Sequence, residues 1–113
     1  MGIIENMLNQ GVERKVFTEQ FVKETLDRLI PTTNYEDLKE VDFIVEAVFE
    51  DEQVKADVLS KLDKICDEKT ILSSNTSSFY IKNLAKSTNR PDRFIGMHYF
   101  FPLRLAGQTR LVA

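Results

Sequence analysis

Glycine is scarce in this chain. There are four, Gly2, Gly11, Gly96 and Gly107, and no two are separated by a single residue. Neither G-x-G-x-x-G nor G-x-x-x-x-G-K-[ST] can therefore be written anywhere in the sequence, and these are the turns that lay backbone N–H groups onto phosphates. Cysteine is limited to Cys66 and histidine to His98. An internal disulfide and the usual Cys/His zinc sites are excluded. There is no excess of positive charge: the formal net charge is −3. That balance gives no electrostatic footprint for nucleic acid and no basic stripe for a membrane surface. Long apolar runs are missing too, since the longest are broken by Glu46 or Arg104 and fall short of a bilayer-spanning helix. The first eleven residues mix Ile3, Ile4, Met7 and Leu8 with Glu5, Asn6, Asn9 and Gln10, which is no secretory signal. The expectation is a cytoplasmic protein, with an organelle matrix left open.

What is present is ordinary globular material. In 113 residues, 42% are apolar and 29% charged. A chain of that length has room for one domain and can bury about two-thirds of its unfolded surface.

The hydrophobic period changes along the chain. Residues 3–11 suit a short amphipathic helix ending at Gly11. Thr18 is placed to cap a helix over 18–30, whose apolar face is Phe21, Val22, Leu26, Leu29 and Ile30 and which Pro31 stops. Tyr35–Glu40 can hold one helical turn. Asp42-Phe43-Ile44-Val45-Glu46-Ala47-Val48 is then apolar at most positions without strict alternation, the pattern of a strand covered on both faces. A helix over 51–66 follows, with acidic residues at its start. Strands at 70–74 and 93–98 flank a helix over 79–88. Strand, helix, strand, helix, strand reads as βαβαβ: an α/β fold, half of a doubly wound parallel sheet, preceded by helices. The expected organisation is one partial domain with a helical lead (1–39), a core (40–100) and an irregular tail (101–113).

Ligands in open α/β sheets sit outside the carboxyl ends of the strands. The first strand end offers Glu46, Glu50, Asp51 and Lys55, although a solvated helix start with an exposed lysine explains the last three as simply. After the second strand come Ser73-Ser74-Asn75-Thr76-Ser77-Ser78, which can cap the next helix or offer hydroxyls and an amide to a substrate oxygen. His98 ends the third strand. Imidazole titrates near working pH and suits a general base for an alcohol, though a lone histidine is also a common structural residue.

Three stretches in order, Asp42 to Asp51, Ser74-Asn75-Thr76-Ser77-Ser78 and Arg90 to Phe100, resemble the NAD-binding domain of the 3-hydroxyacyl-CoA dehydrogenases over about residues 12–100. The resemblance implies a Rossmann-like domain, NAD as cofactor and an acyl-CoA substrate in fatty acid β-oxidation. It implies that Glu50 and Lys55 contact the nicotinamide-side ribose and that Ser77 lies near substrate and cofactor, with Asn75 beside it in the catalytic set. His98 would take the hydroxyl proton as hydride leaves for nicotinamide. The sequence departs from the family pattern at Phe101, where asparagine is expected, and at Ala113, where the family has the glutamate that orients the histidine. A fragment of such an enzyme, inactive alone, is the first expectation; a degenerate, non-catalytic module is the other. In the resembled fold the strand at 42–48 would have an open edge. Self-association or a complementing chain is expected there, with Arg110–Ala113 as a further candidate to cover it.

Overall fold

The fold is that of a computed structural model, which describes residues 2–99 and, as backbone, 109–112. Phe101 and Ala113 lie outside the described residues. The chain divides into two compact units, Met1–Thr33 and Asn34–Ala113.

The first unit is a helical pair. Helix α1 spans Gly2–Glu13 and α2 spans Glu19–Asp27. Gly11 does not end α1, as its type suggests. The helix runs two residues further, and the left-handed residue after it is Lys15, at φ 58°. Gly11 is needed for space: a Cβ there would overlap the Phe17 ring, whose backbone N–H bonds to the Gly11 carbonyl at 3.2 Å. Thr18 caps α2 as expected, accepting from the Phe21 amide at 3.1 Å. Helix α2 stops earlier than Pro31 requires. Its last turn tightens to bonds from Arg28 to Thr25 and from Leu29 to Leu26.

The second unit carries the sheet. A 3-10 turn at Tyr35–Leu38 leads into β1 (Phe43–Glu46), α3 (Glu52–Ile65), β2 (Ile71–Ser74), α4 (Ile81–Ala85), β3 (Phe94–Tyr99) and β4 (Thr109–Val112). The spatial order is β1-β2-β3-β4. Strands β1, β2 and β3 are parallel, as the two crossovers require. Strand β4 is antiparallel to β3, with His98 opposite Arg110. The tail is thus a strand at 109–112 where an irregular segment is expected, and it lies on β3, so it does not cover β1.

Register places Ile44, Leu72 and Phe94 side by side on one face. Helix α3 lays Leu59 and Leu62 on that face, Cys66 follows at its end, and α4 adds Leu84 and Ala85. Tyr35 and Leu38 of the 3-10 turn pack against the same core, which is why the unit begins at residue 34 and takes in part of the expected helical lead. The expectation that the first strand is covered on both faces fails: Phe43 and Val45, pointing the other way, are 37% and 39% exposed.

Helix α3 is held at both ends. Asp51 accepts from the Val54 amide at 3.0 Å, satisfying a donor of the first turn. At the other end Arg90, itself buried, donates to the carbonyls of Asp63, Cys66, Asp67 and Thr70 at 2.9, 3.2, 2.7 and 2.9 Å. Its Nε reaches Asp63 at 2.6 Å. One guanidinium thereby satisfies carbonyls at and beyond the helix end that have no helical partner. Helix α4 is shorter than 79–88. Ser87 and Thr88 turn their hydroxyls onto the Leu84 and Ala85 carbonyls, at 2.5 and 2.9 Å, and so replace the helical bonds that would continue it.

Candidate functional site

The carboxyl ends of the parallel strands collect the polar residues. Glu46, the last residue of β1, lies opposite Ser74, the last of β2, and Ser74 lies opposite Gly96. His98 is two residues further along β3, on the same edge of the sheet.

Glu46 is buried at that edge. Its Oε1 accepts from Lys55 Nζ at 2.8 Å and from the Val48 amide at 2.7 Å. Its Oε2 accepts from the Ser74 hydroxyl at 2.5 Å, and its main-chain carbonyl accepts from the Asn75 amide at 2.8 Å. Lys55, on the first turns of α3, is 1% exposed. Besides Glu46 it donates to the Val48 carbonyl at 3.1 Å and lies 3.4 Å from Glu50 Oε2. The exposed lysine of the plainer sequence reading is therefore ruled out.

Glu50 is the open member of the group, with its side chain 44% exposed. The Thr76 hydroxyl bonds its other oxygen. Thr76 is buried and also receives the Ser78 and Phe79 amides, each at 3.3 Å. The serine-rich segment after β2 does not cap α4 as expected, since Tyr80 stands at the N-cap of that helix without a side-chain cap bond. Instead Thr76 organises the turn ahead of it while holding the Glu50 side chain. Asn75 turns its amide oxygen to the Tyr99 amide at 2.7 Å, tying the end of β2 to the end of β3. Ser77 is exposed and stands outside the Glu46–Lys55 network, and His98 is half-buried.

Two carboxylates and one ammonium leave this cluster acceptor-rich. Lone pairs on the exposed Glu50 suit hydroxyl donors such as a sugar diol, and its charge disfavours phosphate. Glu46, Ser74 and Thr76 are not in the residue set expected from the resemblance. For Glu46 a signal was present: a carboxylate inside an apolar strand run must find a partner if the strand is buried.

A parallel sheet with its polar side chains gathered at the carboxyl edge defines an α/β domain of the nucleotide-binding kind. The family described as "3-hydroxyacyl-CoA dehydrogenase, NAD binding domain" matches residues 1–112, and the chain belongs to that family. The match extends beyond residues 12–100, over which the sequence motifs carry the resemblance. A 3-hydroxybutyryl-CoA dehydrogenase of Clostridioides difficile is 44% identical over the whole chain, which covers 40% of that protein. A fatty acid oxidation complex subunit alpha of Acinetobacter baumannii is 46% identical over 88% of the chain and 14% of that subunit. Among solved structures, the (S)-3-hydroxybutyryl-CoA dehydrogenase of Ralstonia eutropha superposes with a TM-score of 0.89 at 38% identity, over 94% of this chain and 38% of that one. The chain spans less than half the length of these relatives.

Proposed function

We propose that this chain supplies the nicotinamide-side half of an NAD site and the proton acceptor of a 3-hydroxyacyl-CoA dehydrogenase. The observation that carries the reading is the meeting of Glu50, Lys55 and Asn75 with the His98 strand end along one edge of a parallel sheet. Glu50 would accept from ribose hydroxyls, and Lys55 would hold that carboxylate in place or share a hydroxyl with it. His98 would take the proton of the substrate 3-hydroxyl at an imidazole nitrogen. Ser77 and Asn75 would fix the substrate oxygen in its reach. NAD, when bound, supplies the hydride acceptor. The residues present fit the sugar of such a cofactor. No glycine turn exists in the sequence to cradle its pyrophosphate.

By itself the chain would therefore be a poor dehydrogenase, active only with the remainder of an enzyme supplied as a complementing chain. Its substrate class would be 3-hydroxyacyl-CoA thioesters of fatty acid β-oxidation, and its compartment the cytoplasm or an organelle matrix. Titration calorimetry with NAD and with an acyl-CoA, on the chain alone and with a complementing chain, tests this. A response to NAD that depends on Glu50 and on the complement supports it. Ordinary turnover of 3-hydroxybutyryl-CoA by the chain alone, lost in His98→Ala, would overturn the inactive-alone part.

The second reading, a non-catalytic module that associates through its sheet, is favoured by the exposed Phe43 and Val45 on the edge strand. A monodisperse oligomer without NAD affinity, alone or complemented, would establish it.

A further inference from the structure

Glu46 is the hub of the strand-end cluster, yet nothing in the reaction outlined above uses it. Its two carboxylate oxygens hold three groups from three places: the Lys55 ammonium on α3, the Val48 amide in the β1–α3 turn and the Ser74 hydroxyl at the end of β2. Burying a lysine side chain costs rotamer entropy, and strong, well-placed acceptors for its ammonium offset that cost. Glu46 supplies the short contact, at 2.8 Å. The Val48 carbonyl, itself placed by the Val48 amide bond to Glu46, supplies the second. The contact from Lys55 to Glu50, at 3.4 Å, is the longest of the three. It is therefore the one a hydroxyl can enter or replace with least loss.

We propose that Glu46 is a positioning residue: from the end of β1 it fixes the Lys55 ammonium, and through Lys55 the half-exposed Glu50 carboxylate, in the place where a ribose diol is received. The role of that diol rests on the functional reading above; the hold of Glu46 on Lys55 does not. Ser74 is part of the same device, because its hydroxyl occupies the second oxygen and sets the carboxylate plane. The arrangement also accounts for an acid at the end of an apolar strand. A neutral residue of the same shape would leave the buried ammonium with only the longer contact to half-exposed Glu50 as counter-charge.

The test reads Lys55 itself. Limited acylation with acetic anhydride, followed by peptide mass spectrometry, compares the rate at Lys55 with that at exposed Lys64 on the same helix. In the wild-type chain Lys55 should react slower by on the order of 100-fold, the protection expected of a buried amine in a stable element. Glu46→Gln should raise the Lys55 rate by at least about tenfold, with Lys64 unchanged and unfolding still cooperative. If Glu46→Gln fails to fold, Ser74→Ala is read instead; it keeps the ion pair and should raise the Lys55 rate severalfold. Unchanged protection in the folded Glu46→Gln chain, or in Ser74→Ala where that is the variant read, would overturn the proposal, as would equal rates at Lys55 and Lys64 in the wild type. A second readout separates positioning from mere stability. With millimolar NAD as probe, the amide shifts of Glu50 and Thr76 seen in the wild type should need at least about tenfold more NAD in Glu46→Gln, and a response equal to wild type would count against the role. Absence of any NAD response in the wild type refutes the cofactor reading while the acylation result still decides the hold on Lys55.

Discussion

Replacing Lys55 by methionine keeps most of the aliphatic stem and removes the ammonium. Glu46 would then be a buried carboxylate with no counter-charge. Breaking a buried pair from one side costs about 3–5 kcal/mol, a large part of the stability of a small domain. Urea unfolding of Lys55→Met should show a midpoint shift of that size, while Glu50→Gln, at a half-exposed position, should shift it by less than about 1 kcal/mol. Cys66 makes a second residue-scale prediction. Burial pushes its thiol above the ordinary range and Asp63 adds to the rise, while the nearby Arg90 guanidinium pulls the other way. The folded chain thus holds the thiol proton more tightly than the unfolded chain does. The stability this contributes is complete below the unfolded thiol pKa, and it is lost as pH rises through the folded one. The thiol should resist alkylation at neutral pH. Thermal unfolding followed between pH 8 and 11 should show a steeper fall for wild type than for Cys66→Ala.

Among the elements, α3 depends on a residue outside it. Arg90 reaches the Asp63, Cys66, Asp67 and Thr70 carbonyls from the segment between α4 and β3, and it pairs with the side chain of Asp63. Arg90→Lys keeps the charge and cannot reproduce five directed donors. It should cost about 2–4 kcal/mol by loss of several charge-assisted bonds, and hydrogen exchange should quicken first at residues 66–70. Helix α1 offers the contrasting case. Gly11→Ala raises intrinsic helix propensity by about 1 kcal/mol, yet the added methyl overlaps the Phe17 ring. The variant should be less stable than wild type, and a gain in thermal midpoint would show that the ring moves aside freely.

At the scale of the molecule, β1 is an edge strand among the described residues, with Phe43 and Val45 exposed beside it. Parallel pairing aims alternate backbone groups of such a strand away from its neighbour, and no lysine or proline stands within it to deter another strand. Light scattering at tens of micromolar should report self-association, reduced in Val45→Lys. Affinity for NAD is a second whole-molecule property. Three backbone donors to a pyrophosphate, each worth about 1.5–3 kcal/mol, sum to roughly 4.5–9 kcal/mol. Without a glycine turn the chain should bind NAD about a thousand- to a million-fold more weakly than a site that has one. A micromolar dissociation constant in titration calorimetry would contradict this.

The order of the elements was legible in the sequence because it rests on local signals. The change from helical to strand period at residue 42, Thr18 as a cap, acidic residues at the start of the helix over 51–66, and two crossovers between three apolar runs suffice for βαβαβ. Glu50, Lys55, Asn75, Ser77 and His98 were singled out by short motifs at fixed spacing, and their roles rest on the proposed function. What required the tertiary structure is everything settled by residues far apart in the chain. Strand β4 pairs with β3 through register that no local pattern states. Gly11 reads as a helix stop until the Phe17 ring occupies its open side. Lys55 reads as an exposed helix lysine until Glu46, nine residues away, and the end of β2 close over it. Local propensity acts within a turn or two of chain. The choice between an exposed and a buried charge depends on which acceptors the folded sheet brings within 3 Å, and only the assembled fold supplies them.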